Sequence, residues 1–116
     1  CAVYLADPVT GAFGTAPSGK KGSKGGTTRR AIEQMQQEFS AKPSDLVIQL
    51  SPCIRPPAYE IDFAADIRTQ ALAAGVLESN LHDTYLCTAA DPARFYSYRR
   101  EKGRTGRMLA LMGRIV

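Results

Sequence analysis

The sequence is poor in the residues that build metal centres and disulfide frameworks. Its 116 residues include no tryptophan, one histidine (His82) and three cysteines that form no CxxC pair. One histidine cannot supply a multi-histidine metal site within this chain. Three cysteines leave one over if two pair, so we expect reduced thiols in a reducing compartment. No signal peptide is visible and no apolar run approaches the ~20 residues of a membrane span, so a cytoplasmic location is expected.

The remaining composition indicates one small globular domain. Hydrophobic residues make up 44% and charged residues 22%, which excludes a wholly disordered chain. A net charge of +4 permits an anionic partner without requiring one. The chain begins on Cys-Ala-Val-Tyr-Leu, without methionine and inside a predicted strand. From this we expect residues 1–116 to be a portion of a domain or one product of a cut precursor.

Apolar periodicity and turn residues predict alternating strands and helices. Strands are predicted at residues 2–6, 12–16, 46–50, 59–61, 84–87 and 108–116, the first two as a hairpin. One helix is predicted to begin after an N-cap at Thr27 or Thr28 and to bury Ile32, Met35 and Phe39. A second is predicted over 63–74, ending at Gly75, and a helical turn over 90–95. This order is typical of an α/β sheet with helices packed on it.

A glycine- and lysine-rich loop, residues 17–26, is the first candidate for binding chemistry. Residues 14–20 have the GxxxxGK spacing of a phosphate-binding loop, but Lys21 stands where that motif needs a serine or threonine for Mg²⁺. We therefore do not predict a nucleotide-hydrolysing loop. Weaker anion binding by the lysines and backbone N–H groups stays an alternative to a solvated loop.

The second candidate is the basic, aromatic segment 94–107, Arg-Phe-Tyr-Ser-Tyr-Arg-Arg-Glu-Lys-Gly-Arg-Thr-Gly-Arg. Arginines suit phosphate binding and tyrosines suit stacking on a base, whereas the alternative is a solvated basic surface. Cys53, in a proline-rich loop, is either a nucleophile or an inert buried thiol. His82 is more typical of a surface or capping residue than of a catalyst, and Cys87 is predicted to be a core residue.

Three stretches, in the same order, resemble the laccase-domain family, whose members are also described as multicopper polyphenol-oxidase-like, peptidoglycan-editing-factor-like or purine nucleoside phosphorylase-like. Residues 87–108, with Cys-Thr, Phe-Tyr-Ser-Tyr-Arg-Arg and Gly-Arg-Thr-Gly-Arg-Met, are similar to its C-terminal signature. Residues 51–61 are similar to its Gly-Pro-x-Ile…Tyr-Glu-Val element, and residues 1–22 to its Asp-Cys…His-x-Gly-x-x-Gly region. The resemblance covers nearly all of this chain but about the back half of the family domain.

The resemblance implies a three-layer α/β/α fold with a mixed sheet over residues 1–116. It also implies a small-molecule site that holds zinc, or copper, through two histidines and a cysteine that corresponds to Cys1. Such a metal lowers the pKa of bound water to about 7. The motif histidine aligns with Pro17, which cannot ligate a metal, and the family's other histidine lies upstream of the matched stretch. The metal site is therefore expected to be incomplete within this chain.

Family members are associated with phenol oxidation, with hydrolytic or phosphorolytic cleavage and deamination of purine nucleosides, and with peptidoglycan editing. Our first hypothesis is a pocket for a purine nucleoside or phosphate. If the protein is an enzyme, it is a metal-dependent purine nucleoside phosphorylase or hydrolase, or a polyphenol-oxidase-like enzyme, with Cys1 as metal ligand. The expected substrate-binding residues are Ser18, Lys20, Lys21, Arg55, Tyr98, Arg99, Arg104 and Arg107.

The expected partners are the small-molecule ligand and the missing N-terminal half of the domain, with no membrane. A second hypothesis is a catalytically degenerate nucleotide- or anion-binding domain, since Pro17 replaces the ligand. A nucleic-acid-binding module ranks third, because a net charge of +4 is modest for that function.

Overall fold

The central element of the fold is a four-stranded sheet, and residues along two of its strands are alternately buried and half-exposed. The computed structural model describes residues 1–115, except for the side chains of Lys20 and Ser23. The strands are β1 (Ala2–Ala6), β2 (Phe13–Pro17), β3 (Val47–Leu50) and β4 (Leu81–Asp83), in the order β2-β1-β3-β4. Strand β1 is antiparallel to β2 and β3, whereas β3 and β4 are parallel. Because Val3 and Leu5 point to the same face, that face becomes the core.

Two helices cover the core face of the sheet. The helices of the chain are α1 (Lys20–Lys24), α2 (Thr27–Phe39) and α3 (Phe63–Ala73). Ile32 and Met35 of α2 and Ile67 and Ala71 of α3 join the strand residues in one buried cluster. The mixed α/β sheet predicted from the sequence is confirmed, and α2 and α3 lie on the same face of it. No helix among the described residues has the length and apolar character to cross a bilayer.

The turns and helix ends agree in part with the sequence. The predicted hairpin is confirmed, and Gly11 closes its turn with a φ of 79° and an N–H bond to the Asp7 carbonyl of 2.8 Å. Gly75, with a φ of 102°, ends α3 as predicted. The predicted cap of α2 is wrong, because Gly26 holds the N-cap position and the Thr27 hydroxyl donates to the Gly22 carbonyl instead.

Several predicted elements differ in place or kind. The lysine loop is shorter than expected, since Pro17 ends β2 and residues 20–24 form α1. Residues 59–61 form a bend rather than a strand. The strand expected at 84–87 lies instead at Leu81–Asp83, because Tyr85 adopts a left-handed φ of 59° that interrupts extended backbone. Phe39, expected in the core, is exposed.

The last apolar stretch is not the strand that the sequence predicts. Residues 108–115 have no strand assignment, and Val116 lies outside the described residues. Leu109, Leu111 and Ile115 expose 80%, 77% and 98% of their surface. The stretch has strand-like composition, but its backbone has no pairing partner among the described residues. Its apolar side chains consequently stay in contact with solvent.

Candidate functional site

Cys1 lies where three backbone segments meet. Its N–H group donates to the Ser18 carbonyl at 3.0 Å and its carbonyl accepts from the Ser18 N–H at 2.7 Å, which extends the β1–β2 ladder by one pair. The Cys1 Sγ lies 3.7 Å from the Ser51 carbonyl and 3.9 Å from the Ser51 hydroxyl, at the end of β3. The thiol is therefore positioned by the sheet itself and is half-buried.

An open cavity of about 560 Å³ extends from Cys1 to the basic, aromatic segment. Its polar wall contains Cys1, Thr88, Ser97 and Arg99, and its aromatic wall contains Tyr59, Phe63, Tyr96 and Tyr98. This combination of apolar rings with a few polar groups is typical of a small-molecule site. Cys53 also lines the cavity, and burial raises the pKa of its thiol, so it is a poor nucleophile at neutral pH.

Arg99 and Tyr59 brace one side of this cavity. The guanidinium carbon of Arg99 lies 4.4 Å from the centre of the Tyr59 ring, and Phe63 packs against the same ring with centroids 5.2 Å apart. Glu60 accepts two hydrogen bonds from Arg99, at 3.0 and 3.4 Å. Because its guanidinium is already engaged by Tyr59 and Glu60, Arg99 acts first as a wall of the cavity.

Glu101 organises the loop that carries the tyrosines. One oxygen of its carboxylate accepts from the Ser97 N–H and from the Thr105 hydroxyl, both at 3.1 Å. Its own N–H donates to the Ser97 carbonyl at 2.9 Å. Arg100 reaches across and donates to the Ala89 carbonyl. These bonds close the loop on itself, and Tyr96 and Tyr98 of this loop line the cavity.

Two glycines make room for those rings. A Cβ atom at Gly106 would lie 2.7 Å from Cζ of Tyr96, closer than atoms can pack. A Cβ atom at Gly103, where φ is 81°, would lie 3.3 Å from Cζ of Tyr98. The glycines of the motif thus hold the tyrosines in place.

Arg55 belongs to a second, separate cavity of about 330 Å³. Its guanidinium donates to the Leu86 carbonyl at 3.0 Å and to the Asp83 carboxylate at 2.9 Å. Burial opposes ionisation of Asp83, but hydrogen bonds from Arg55 and the Tyr85 N–H outweigh it and lower the pKa of Asp83. Asp62, Arg68 and His82 line the same cavity.

The structure thus brings together some of the predicted site residues and separates others. Cys1, Tyr98 and Arg99 line one cavity, and Arg107 lines a smaller one that also contains Tyr98. Ser18 is buried beside Cys1, whereas Lys21 and Arg104 are exposed. The side chain of Lys20 lies outside the described part of the chain. The GxxxxGK spacing does not correspond to a phosphate-binding loop, because Gly14 pairs with Leu5 inside the sheet.

Sequence reasoning missed Tyr59 and Phe63 as parts of the cavity. Tyr59 follows a proline-rich loop, and Phe63 is the first residue of α3. The preceding residue, Asp62, caps this helix, since its side chain accepts a hydrogen bond from the Ala65 N–H at 3.0 Å. An aromatic pair four residues apart at a helix start was the available signal. The packing of Arg99 on Tyr59, 40 residues earlier in the chain, depends on tertiary structure and has no local signature.

The described residues do not provide a complete metal site. They contain no group of three or more His, Cys, Asp or Glu side chains close enough to hold a metal ion. Pro17 ends β2 opposite Ala2, and His82 lies in β4 beside the Arg55 cavity. Zinc normally takes four ligands, at least three of them from protein. A zinc or copper site therefore does not fit this part of the chain, and Cys1 as a metal ligand stays a prediction.

Comparison with known proteins relates the chain to one family. A family model described as multi-copper polyphenol oxidoreductase laccase matches residues 1–65 and 61–115. A protein named purine nucleoside phosphorylase YlmD, from Geobacillus stearothermophilus, is 31% identical over 142 positions, which cover 97% of this chain and 52% of the relative. A purine nucleoside phosphorylase of Deinococcus radiodurans is 34% identical, with 96% of this chain and 52% of the relative covered.

The fold is shared with solved structures. The crystal structure of YlmD from Geobacillus stearothermophilus superposes with a TM-score of 0.87 and 27% identity, covering 90% of this chain and 50% of that one. The chain thus spans about half the length of the relatives it matches. The 142 aligned positions exceed its 116 residues by 26, so the Geobacillus relative has at least 26 residues without a counterpart here. The two stretches that match the family model overlap at residues 61–65.

Replacement of Gly106 by alanine tests the packing of Tyr96. The new Cβ must displace the ring, and because Tyr96 is half-exposed the ring can shift, so Gly106→Ala is expected to lower the free energy of unfolding by about 1 kcal/mol, measured by urea denaturation. Gly113→Ala is the matched control, because a Cβ there meets nothing within 4 Å. Equal stability of the two variants would contradict this account of the motif.

The Arg55–Asp83 pair should stabilise the fold in a pH-dependent way. At neutral pH, Arg55→Ala is expected to lower the free energy of unfolding by roughly 2 kcal/mol, since it leaves a mostly buried carboxylate unpaired. The pKa of Asp83 is lowered in the fold, so this contribution is complete above the unfolded-state pKa of about 3.9 and disappears as pH falls through the folded-state value.

The control is Arg29→Ala, which breaks an exposed pair with Glu33 and should cost less than about 1 kcal/mol. A difference in the free energy of unfolding between wild type and Arg55→Ala that stays constant down to acid pH would show that Asp83 is not the partner through which Arg55 stabilises the fold.

Proposed function

The chain belongs to the multi-copper polyphenol oxidoreductase laccase family, and on that premise we propose that its cavity at Cys1 binds a purine nucleoside. The observation that carries the proposal is that two exposed tyrosines, Tyr96 and Tyr98, line the same cavity of about 560 Å³ as Cys1. A purine presents two flat faces and a polar edge. Stacking on a tyrosine ring satisfies the faces, and Ser97 and Thr88 offer hydroxyl groups to the edge.

The names of the relatives support the same ligand class. Two proteins that align with nearly all of this chain are called purine nucleoside phosphorylases. Among the predicted substrate-binding residues, Tyr98 and Arg99 line this cavity, where we propose that Tyr98 stacks on the base and Arg99 forms part of the wall. Binding rather than turnover is the function that the described residues support, since the donors for a metal are incomplete. The proposal does not depend on Ser18, Lys21 or Arg55, which are not among the residues that line this cavity, nor on Lys20, whose side chain lies outside the described part of the chain.

We further propose that the apolar segment 108–115 packs against the half of the relatives' domain that this chain does not match. The relatives extend well beyond the stretch that matches this chain. Segment 108–115 belongs to the matched stretch, because the family match runs to residue 115. Large exposed apolar patches usually mark an interface. Leu109 and Ala110 also line a cavity with Cys1 and Tyr4, so the segment joins the interface to the site.

Loss of the Tyr98 ring should weaken nucleoside binding. Tyr98→Ala removes one stacking surface, so the dissociation constant for adenosine, measured by isothermal titration calorimetry, is expected to rise about tenfold. Tyr85→Ala is the control, because Tyr85 is equally exposed but lines the Arg55 cavity. Equal affinity in both variants would place the nucleoside elsewhere, and absence of adenosine binding by the wild type would reject the proposal.

Charge on segment 108–115 should prevent assembly. Purified chain mixed with the separately expressed remaining half of the Geobacillus relative is expected to form a one-to-one complex in size-exclusion chromatography with light scattering. Leu109→Lys together with Leu111→Lys should abolish it, since a lysine ammonium is costly to bury. Leu77→Lys, on an exposed leucine before β4, should leave it intact. No complex, or a complex that tolerates both lysines, would contradict the proposed interface.

A further inference from the structure

Cys53 and Cys87 are paired across two neighbouring stretches of backbone. They form an isolated parallel bridge beyond the ends of β3 and β4. The Cys53 N–H donates to the Leu86 carbonyl at 3.2 Å, and the Thr88 N–H donates to the Cys53 carbonyl at 3.1 Å. The backbone of Cys53 is therefore bonded to the residues on both sides of Cys87, which fixes the two cysteines opposite each other.

A shift in register brings the two cysteines into line. Leu50 pairs with Asp83 at the end of the β3–β4 ladder, so an unchanged register would place Cys53 opposite the residue before Cys87. The β4 side instead accommodates one extra residue, and Tyr85, with its left-handed φ of 59°, lies within that stretch. Such an extra residue is a β-bulge, which changes the direction of the side chains that follow it. Here the bulge places a cysteine opposite a cysteine.

The bridge gives the separation that a disulfide needs. Neighbouring strands lie about 4.8 Å apart, within the roughly 4.4–6.8 Å that separates the Cα atoms of a disulfide. Residues paired across a sheet have their side chains on the same face of it. The Cys87 Sγ lies 3.9 Å from the carbonyl oxygen of Arg55, two residues beyond Cys53, so this thiol lies against the backbone segment that contains Cys53. Bond formation then requires rotation of side chains rather than movement of the backbone.

The third cysteine, Cys1, does not have this alignment. The Ser51 N–H donates to the Ala2 carbonyl at 2.9 Å and continues the β1–β3 pairing by one step. The residue in line with Cys1 is therefore Pro52, not Cys53. An offset of one residue is unfavourable for a disulfide, because it directs the two Cβ atoms to opposite faces of a pleated backbone.

We infer that Cys53 and Cys87 form an oxidation site, at which a peroxide joins the two thiols in a reversible disulfide bond. The three cysteines are free thiols in the structure, which therefore describes the reduced form. The bond would connect the loop before Tyr59 to the start of the segment that contains Tyr96. Because both tyrosines line the cavity at Cys1, oxidation would hold two of its walls together.

Exposure decides which thiol meets the peroxide. The Cys87 side chain is half-buried, whereas Cys53 is 2% exposed. Burial also raises the pKa of the Cys53 thiol, which leaves less thiolate to react with an oxidant in solution. Cys87 is therefore oxidised first, and Cys53 is the second thiol, held beside it by the bridge.

The reaction balances with one molecule of hydrogen peroxide. The Cys87 thiolate attacks one peroxide oxygen, the O–O bond breaks and hydroxide leaves, which gives a sulfenic acid. The Cys53 thiolate attacks that sulfur, the S–O bond breaks and a second hydroxide leaves. The protons that the two thiols lose convert both hydroxides to water. Each sulfur loses one electron, and the peroxide gains two.

Peptide mapping of the folded chain tests the pairing. Reduced protein is treated with hydrogen peroxide, the remaining thiols are alkylated, and the protein is digested with trypsin in the absence of a reductant. Lys20 and Arg68 lie between the cysteines, so each cysteine falls in a separate peptide. The expected product is a cross-linked pair of peptides that contains Cys53 and Cys87 and separates when dithiothreitol is added.

Substitution of each cysteine by alanine tests the order of the steps. Cys53→Ala should stop the reaction at the Cys87 sulfenic acid, which dimedone captures, whereas Cys87→Ala should leave Cys53 unlabelled. Cys1→Ala is the matched control and should form the cross-link at the wild-type rate. Thermal unfolding checks that each variant is folded. If Cys53→Ala does not fold, the map of the wild type still decides the pairing.

The cross-link should also stabilise the fold. It closes the loop from residue 53 to residue 87 and restricts the unfolded chain, so the melting temperature of the oxidised protein is expected to exceed that of the reduced protein by about 10 °C. A melting temperature that does not rise overturns the inference, because the bond would then strain the native pairing.

The peptide map gives the other outcomes that overturn the inference. These are a bond that involves Cys1, a bond between two molecules, and a Cys53–Cys87 bond that forms only after the chain is unfolded in urea. No nucleoside is present in any of these experiments, so this inference and the proposed function fail separately.

Discussion

The contact between the Tyr96 ring and Gly106 is the constraint on which the candidate site depends. With no Cβ at residue 106, the backbone lies directly against the ring, and the loop from Ser97 to Arg107 can fold back on itself. Glu101 then reaches both ends of that loop with one carboxylate oxygen. The result is a stiff aromatic wall opposite Cys1, whose own position is set by hydrogen bonds to Ser18 and Ser51.

The arginines of the basic segment fall into two groups, those with a partner in the fold and those without one among the described residues. Arg99 and Arg100 are held by Glu60 and by a backbone carbonyl, and they stiffen the wall of the cavity. Arg104 and Arg107 have no such partner among the described residues and face solvent. Of the five arginines of segment 94–107, three therefore have partners within the described residues, Arg94, Arg99 and Arg100, and two do not. The same distinction removes Arg55 from the site, because Asp83 and the Leu86 carbonyl engage it in another cavity.

Local signals in the sequence predict the elements whose causes are local. The hairpin, the apolar face of α2 at Ile32 and Met35, and the end of α3 at Gly75 follow from turn chemistry and periodicity, and the structure confirms them. The predictions that failed concern segments whose backbone conformation depends on tertiary contacts. Residues 108–115 have the composition of a strand, yet a strand also needs a paired neighbour. Tyr85 interrupts the expected strand at 84–87 through a left-handed backbone that no composition reveals. In the candidate site, motif resemblance led to Cys1, Tyr98 and Arg99, whereas Tyr59 and Phe63 emerge only from packing.

We propose that a purine nucleoside binds between Cys1 and the tyrosines at residues 96 and 98. The most direct measurement is a nuclear magnetic resonance titration with adenosine that follows the aromatic resonances of the tyrosines. A stacked purine shifts nearby protons through its ring current, so the resonances of Tyr96 and Tyr98 should move in a saturable way while those of Tyr85 stay unchanged. Unmoved Tyr96 and Tyr98 resonances at concentrations that saturate binding, or shifts confined to Tyr85, would contradict it.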